Sequence, residues 1–257
     1  MLAVATLVQR EIVRFLRQRS RVIGALAQPI VFWLLLGAGL SPSFRPPGAP
    51  ADASYLQYFY PGVLALVLLF TAIFATIAVV EDRRAGFLQG VLVAPIARST
   101  IVLGQSLGAT ALAVLQGALF LALAPLAGVG LTVGRVLASL GAMALVAFAL
   151  TNLGLMIAWR MESTQGFHAV MNLILLPIWF LSGAFFPAEG VAPPLAWIMR
   201  LDPLTYGVAL LRAAMWLGDP AALAALPDPA LSLAVTVLFG VGTLAAAVLV
   251  ARRSGTL

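Results

Sequence analysis

The chain has 257 residues, 62% hydrophobic and 9% charged, with a mean hydropathy of +1.06. Those values lie outside the globular range and place it among integral membrane proteins. The net charge of +6 is carried by arginine alone, because there is no lysine; a phosphate-binding loop of the G-x-x-x-x-G-K-[ST] type, whose lysine must reach the terminal phosphates, is thereby excluded. Zero cysteines remove disulfides, iron–sulfur clusters and thiolate zinc sites, and a single histidine, His168, removes any multi-histidine metal cage. The arginines fall between apolar runs, so they point to membrane topology and not to nucleic acid.

Residues 4–21 place Arg10, Arg14, Arg17 and Arg21 on one helical stripe, with Val4, Val8, Ile12, Phe15 and Leu16 opposite. This pattern predicts an interfacial amphipathic helix over residues 1–21. No small-residue cleavage pattern clearly follows, so the N-terminus reads as uncleaved. A first span is expected over 22–40, kinked at Pro29, followed by an external loop with four prolines over 41–54. The second span covers 58–80 behind an aromatic belt of Tyr55, Tyr58, Phe59 and Tyr60.

A third span over 101–126 and a fourth over 136–159 are joined by a tight turn with Gly128, Gly130 and Arg135. The fifth, 167–184, opens with His168 and Asn172. Residues 185–229 alternate short apolar runs with proline and charge, which predicts two short outer helices, 194–200 and 204–217, dipping into the outer leaflet or packing on the bundle. The sixth span, 230–250, is stopped by Arg252 and Arg253. By this topology eleven arginines lie inside and four outside (45, 135, 200 and 212), so both termini are expected on the cytoplasmic side. The expectation is one all-α transmembrane domain over 1–257, partitioned as 1–21, 22–184, 185–229 and 230–250.

The six spans contain no Asp, Glu or Arg, which argues against a proton- or sodium-driven carrier, since such carriers ordinarily keep a buried carboxylate. The intramembrane polar groups are Asn152, Thr151, His168, Asn172, Gln116 and Ser182. His168 with Asn172 one turn on either lines a hydrophilic pathway mouth or is a helix-start pair bonded to headgroups or a neighbouring helix. Phe180, Phe185, Phe186 and Tyr206 are candidates for an apolar gate, with packing as the alternative, and Asn152 is a further pathway candidate. No catalytic constellation and no metal site is expected.

The stretch 81–98, EDRRAGFLQGVLVAPIAR, reads as a short helix on the membrane surface. Glu81 and Asp82 suit a positive helix N-terminus, and Arg83 and Arg84 can donate to carboxylates on a partner. Gly86 permits close approach; Phe87, Leu88, Val91 and Leu92 supply an apolar face, and Pro95 ends the element. An ordinary interfacial loop helix is the alternative.

The pattern Glu81, Arg83, Gly86, Leu88, Pro95, Arg98 resembles the cytoplasmic loop of ABC-2 type permeases, the membrane subunits of ATP-binding-cassette exporters. A second resemblance lies in LPIWFLSGAFFP (176–187) and DPLTYGVALLR (202–212), forms of the antibiotic- and nodulation-factor-exporter branch. Gln89 and Gln105 depart from that pattern, where many members carry an acidic residue and a lysine.

The resemblance implies the ABC-2 permease fold, with six transmembrane helices, a cytoplasmic coupling helix over Glu81 to Pro95 seated in an ATPase groove, an interface helix carrying Arg10, Glu11, Arg14 and Arg17, and re-entrant outer helices. It implies a chain that is not itself an enzyme, binds no cofactor and works with two copies of a cytoplasmic ABC ATPase that hold ATP and Mg, with a second permease subunit, and with membrane lipid, in a bacterial inner membrane. The implied cargo is amphiphilic or lipid-linked: a drug, a lipid or a lipo-oligosaccharide. A polysaccharide-exporting permease and a non-transporting scaffold that recruits a cytoplasmic protein remain as alternatives.

Overall fold

The computed structural model describes residues 6, 8–10, 13, 19–40, 54–86, 97–188, 191–223 and 226–253, and every regular element among them is helical. In chain order these are α1 (Arg19–Leu40), α2 (Tyr55–Ala75), α3 (Ile77–Arg84), α4 (Arg98–Leu121), α5 (Val133–Ala158), α6 (Thr164–Leu181), α7 (Pro193–Leu201), α8 (Pro203–Met215), α9 (Pro220–Leu223) and α10 (Pro229–Arg253), with a 3-10 turn at Ala124–Ala127. Among the described residues five helical runs are long and apolar enough to cross a membrane: Tyr55–Arg84, α4, α5, α6 and α10. Within α1 the apolar stretch is Ala27–Leu40.

Local chemistry sets the ends of these helices. Ser54, Thr132 and Ser163 each accept a hydrogen bond from the backbone N–H three residues on, at 3.2, 3.3 and 3.0 Å, and so start α2, α5 and α6. Proline stands at the first turns of α7 and α8, where its missing N–H costs nothing. The third span stops at Leu121, short of the expected residue 126, because the chain tightens into the 3-10 turn around Pro125 and is closed by Gly128 at φ +80°.

One expectation is corrected. Glu81, Asp82, Arg83 and Arg84 do not open a surface helix; they form the last turns of α3, continuous with the second span. Nothing between Ile77 and Arg84 breaks a helix, and the helix ends at Gly86, whose φ of +73° disfavours any residue with a Cβ. The acidic pair therefore lies at the negative end of a helix dipole, offset by Arg83 and Arg84 in the same turn. Phe87, Leu88, Val91, Leu92 and Pro95 lie outside the described residues, as do Glu11, Arg14 and Arg17.

α2 is the centre of the bundle. It is apolar all round, its residues from Phe59 to Leu69 are almost all buried, and it packs against α1, α4, α5 and α8. α5 is flanked by α2, α4, α8 and α10. Small residues set the closest approaches: a Cβ on Gly117 of α4 would meet Met143 Sδ at 2.8 Å and Leu68 Cδ2 at 2.9 Å, and one on Gly154 of α5 would meet Thr76 Oγ1 at 2.8 Å. Three buried polar groups tie the core helices: Tyr60 donates to the Phe120 carbonyl, Thr71 to the side-chain amide oxygen of Gln116, and Trp33 Nε1 to Leu56 O at 3.0 Å.

α6 is attached differently. Phe167, Met171, Leu175 and Trp179, a row at spacing four, are its buried side, while the adjacent row is exposed. Only 22% of its apolar window is buried within the chain, against 83% for Tyr55–Arg84, the lowest share among these five runs.

Gly62 tests this packing, since its Cβ would fall 2.8 Å from Ala184 Cα and 2.9 Å from Ala184 O, atoms that cannot rotate away. Gly62→Ala is expected to destabilise the chain by about 1–3 kcal/mol. Gly242→Ala, with open space around the added methyl, is expected to be neutral or stabilising. Thermal unfolding of both variants in the same detergent checks the pair.

Candidate functional site

Three groups of sequence-predicted residues occupy distinct places. At the basic end of the bundle, the last turn of α3 grips two other parts of the chain. Arg10 Nη2 donates to both oxygens of the buried Asp82, at 2.8 and 2.7 Å. Arg83 Nη2 donates to Trp159 O at 2.6 Å and Nη1 to Met161 O at 3.4 Å, with the guanidinium carbon 5.7 Å from the Trp159 ring centroid. Trp159 is the C-cap of α5, so Arg83 supplies donors to carbonyls at a helix end that lack intrahelical partners. Arg98 Nη1 reaches Ala251 O in the last turn of α10 at 3.4 Å. Arg84, Arg160 and Glu162 are exposed and Glu81 is half-buried. Arg10, α3 and the end of α5 are thus tied together, and α4 is tied to α10.

Along α6 runs an exposed row at spacing three and four: Gln165, His168, Asn172, Leu176 and Phe180. It is polar over the half nearer the basic end and apolar beyond. The His168 ring lies 5.1 Å from that of Phe74 on α2, and Asn172 sits at the middle of the helix. Asn152 does not join this row; it is fully buried on α5, and neither of its amide atoms has a partner among the described residues.

The opposite end carries an aromatic cap. Phe185 stacks on Phe180 with centroids 4.5 Å apart and touches Trp179 and Phe59 at 4.8 and 4.9 Å. Phe185 and Phe186 are half-buried. The turn after α6 is held by its carbonyls: Tyr58 donates to Gly183 O at 3.2 Å, Arg212 Nη2 to the same oxygen at 3.0 Å, and Tyr55 to Phe185 O at 3.0 Å. Arg212 also lies 4.1 Å over the Tyr58 ring. The two outer motifs, Leu-Ser-Gly and Pro-Leu-Thr-Tyr, therefore meet through Arg212. Tyr206 donates to Arg200 O at 3.0 Å, joining α7 to α8. The Arg212 clamp was not foreseen from the sequence; a basic residue in the last turn of an apolar helix was its only signal.

Such an arrangement, apolar helices crossing a membrane with a tied basic end, an aromatic cap and one thinly packed helix, defines a multi-pass membrane permease. The chain belongs to the ABC-2 type transporter family, whose profile matches residues 3–216. It is similar to Nodulation protein J of Rhizobium leguminosarum bv. trifolii, 29% identical over 211 residues that cover 78% of this chain and 76% of that one. Nodulation protein J of Neorhizobium galegae is 29% identical over 236 residues, covering 86% and 81%. The protein ycf38 of Cyanophora paradoxa, which carries the name of a transport permease, is 26% identical over 209 residues, covering 80% and 71%. Permeases of this family work with an ABC ATPase subunit.

Asp202, between α7 and α8, is the buried N-cap of α8. Its Oδ1 accepts from Leu204 N at 2.9 Å, while Oδ2 is buried without a partner among the described residues. Burial pushes the carboxyl up to about 7, against the opposing pull of the Leu204 N–H. A raised folded pKa means that its stabilising contribution is full below the unfolded value, roughly 3.9, and is lost as pH rises through about 7. The wild-type melting temperature is therefore expected to fall between pH 5 and pH 8, whereas Asp202→Asn, which keeps the cap acceptor, stays level over that interval. Melting in detergent across this pH range checks it, each 1 kcal/mol being worth about 2–4 °C.

Proposed function

We propose that this chain is the permease subunit of an ATP-binding-cassette exporter that moves an amphiphilic or lipid-linked substrate out of the cytoplasm or inner leaflet. A separate ATPase subunit supplies the energy. Two permeases and two ATPases form the working unit, with α1 counted as a sixth span and both termini on the cytoplasmic side, in line with the excess of arginine there.

The observation that carries this reading is the exposed row on α6. An amide turned toward lipid at the middle of a spanning helix costs roughly 2–7 kcal/mol when unpaired, so Asn172, with His168 and Gln165, needs water, cargo or a second chain in front of it. Leu176 and Phe180 continue the same row as apolar surface, which suits a molecule with a polar head and an apolar tail. The relatives named Nodulation protein J support an assignment among transport permeases of this branch.

In the mechanism, the segment after Gly86 seats in a groove of the ATPase, and closure of the ATPase dimer on ATP pushes it. The two bundles tilt and open a route along the α6 faces toward the outer leaflet. ATP drives this only if it binds the two permease states with different affinity. Glu81 belongs to the coupling end, and Phe180 with Phe185 and Phe186 to the outer gate.

A pull-down of the tagged chain from its native membrane in mild detergent is expected to bring a stoichiometric subunit with ATPase activity, lost on deletion of residues 87–92. Recovery without any ATPase would place the scaffold reading first. In the reconstituted complex, Asn172→Leu is expected to cut export about tenfold while the ATPase stays attached, and Glu81→Ala to uncouple hydrolysis from export; wild-type export rates in either variant remove that residue from the mechanism.

A further inference from the structure

The α2–α3 run is interrupted once, at Thr76. There the backbone N–H bonds to Ile73 O, three residues back, at 3.0 Å, and Val79 N bonds to Thr76 O in the same way at 3.0 Å. Thr76 Oγ1 also donates to Ile73 O, at 2.6 Å. The four-residue ladder is thus replaced locally by tighter turns, a common site of bending in a long helix. At this point α5 comes closest: a Cβ on Gly154 would lie 2.8 Å from Thr76 Oγ1 and 3.3 Å from Ile73 Cα.

Arg83 stands seven residues further on, roughly 10 Å along the helix, and holds the α5 C-terminus through Trp159 O and Met161 O. Three residues later, at Gly86, the helix ends. α3 therefore touches α5 at a break and is fastened to it at its far tip.

We infer that α3 is a lever with its pivot at Thr76 against Gly154, and that Arg83 is the positioning residue delivering movement of the segment after Gly86 to α5. This rests on the reading that the ATPase pushes that segment. From α5 the movement passes to α10, which lies against it where Gly240 meets Ala149 and where Thr243 Oγ1 donates to Ala149 O at 3.3 Å. It passes also to α6 through the short connection that starts at Trp159. A guanidinium suits the joint because its planar fork bridges two carbonyls while its face lies on the indole; a lysine ammonium is a compact point charge without that planar, fixed geometry.

The clamp and the transmission are tested separately. The chain has no cysteine, so Ala85→Cys with Arg160→Cys, both exposed positions, accepts a single pair of spin labels in the full-length chain in nanodiscs. With Arg83 present, a narrow distance distribution is expected; with Arg83→Gln it broadens or shifts by several ångströms. An unchanged distribution overturns the clamp.

In the complex with the ATPase, Arg83→Gln and the conservative Arg83→Lys are expected to retain the ATPase and its hydrolysis while export per ATP falls at least tenfold. Arg252→Gln, an equal loss of charge at an exposed position of the same end, is expected to stay within twofold of wild type. Equal coupling in Arg83→Lys and wild type, or an equal defect in Arg252→Gln, overturns the transmission. If Arg83→Gln fails to fold, the lysine variant decides. If the wild-type chain carries no ATPase, the exporter reading and the transmission fall together, while the spin-label distance still decides the clamp.

Discussion

A helix that ends near a membrane surface leaves carbonyl oxygens with no intrahelical donor, and this protein meets that need with guanidinium groups. Arg83 serves Trp159 and Met161, Arg98 serves Ala251, Arg135 serves Leu217 and Gly130, and Arg212 serves Gly183 and Tyr58. Apart from the local bond of Arg135 to Gly130, five residues away, these contacts join different parts of the fold. At Arg83 and Arg212 the fork serves carbonyl acceptors and also lies over a ring, Trp159 or Tyr58.

Between those tied ends the helices differ in how firmly they are held. α2, α4, α5, α8 and α10 contact one another on several sides, and glycine and alanine let their backbones approach. α6 is held along one row of side chains, by an indole N–H to Gly62 O at 2.7 Å and by the carbonyl clamps on the turn that follows it. A helix with few buried contacts on most of its surface moves at low cost relative to the core. The same helix carries the exposed polar row, so the element best suited to move is also the one that presents mid-membrane hydrogen-bonding groups.

The two ends suit different tasks. At the basic end, charge-assisted bonds connect Arg10 to α3 and α3 to the end of α5. At the aromatic end, the rings of Phe59, Trp179 and Phe180 surround Phe185, whose carbonyl accepts from Tyr55. The basic end holds the C-terminus of α5 and the aromatic end the C-terminus of α6, and the short stretch from Trp159 to Ser163 joins these two helices.

Much of this was legible in the chain itself. Long uncharged runs located the spanning helices to within a few residues, since nothing else can bury so much apolar surface, and the short outer helices expected over 194–200 and 204–217 are α7 and α8 with starts one residue earlier. The exposed row on α6 was half visible, because His168 and Asn172 stand one turn apart in an apolar helix. What the sequence could not disclose was pairing at a distance. Arg83 looked like a surface donor for a partner, yet its carbonyls lie 76 residues away; Arg10 finds Asp82 across 72 residues, and Arg212 finds Tyr58 across 154. Periodicity and composition determined which segments enter the membrane, because burial of apolar area is a local property of each helix. Which arginine ties which helix end was decided only by the tertiary fold, because the length of a guanidinium side chain carries no record of the carbonyl it will meet.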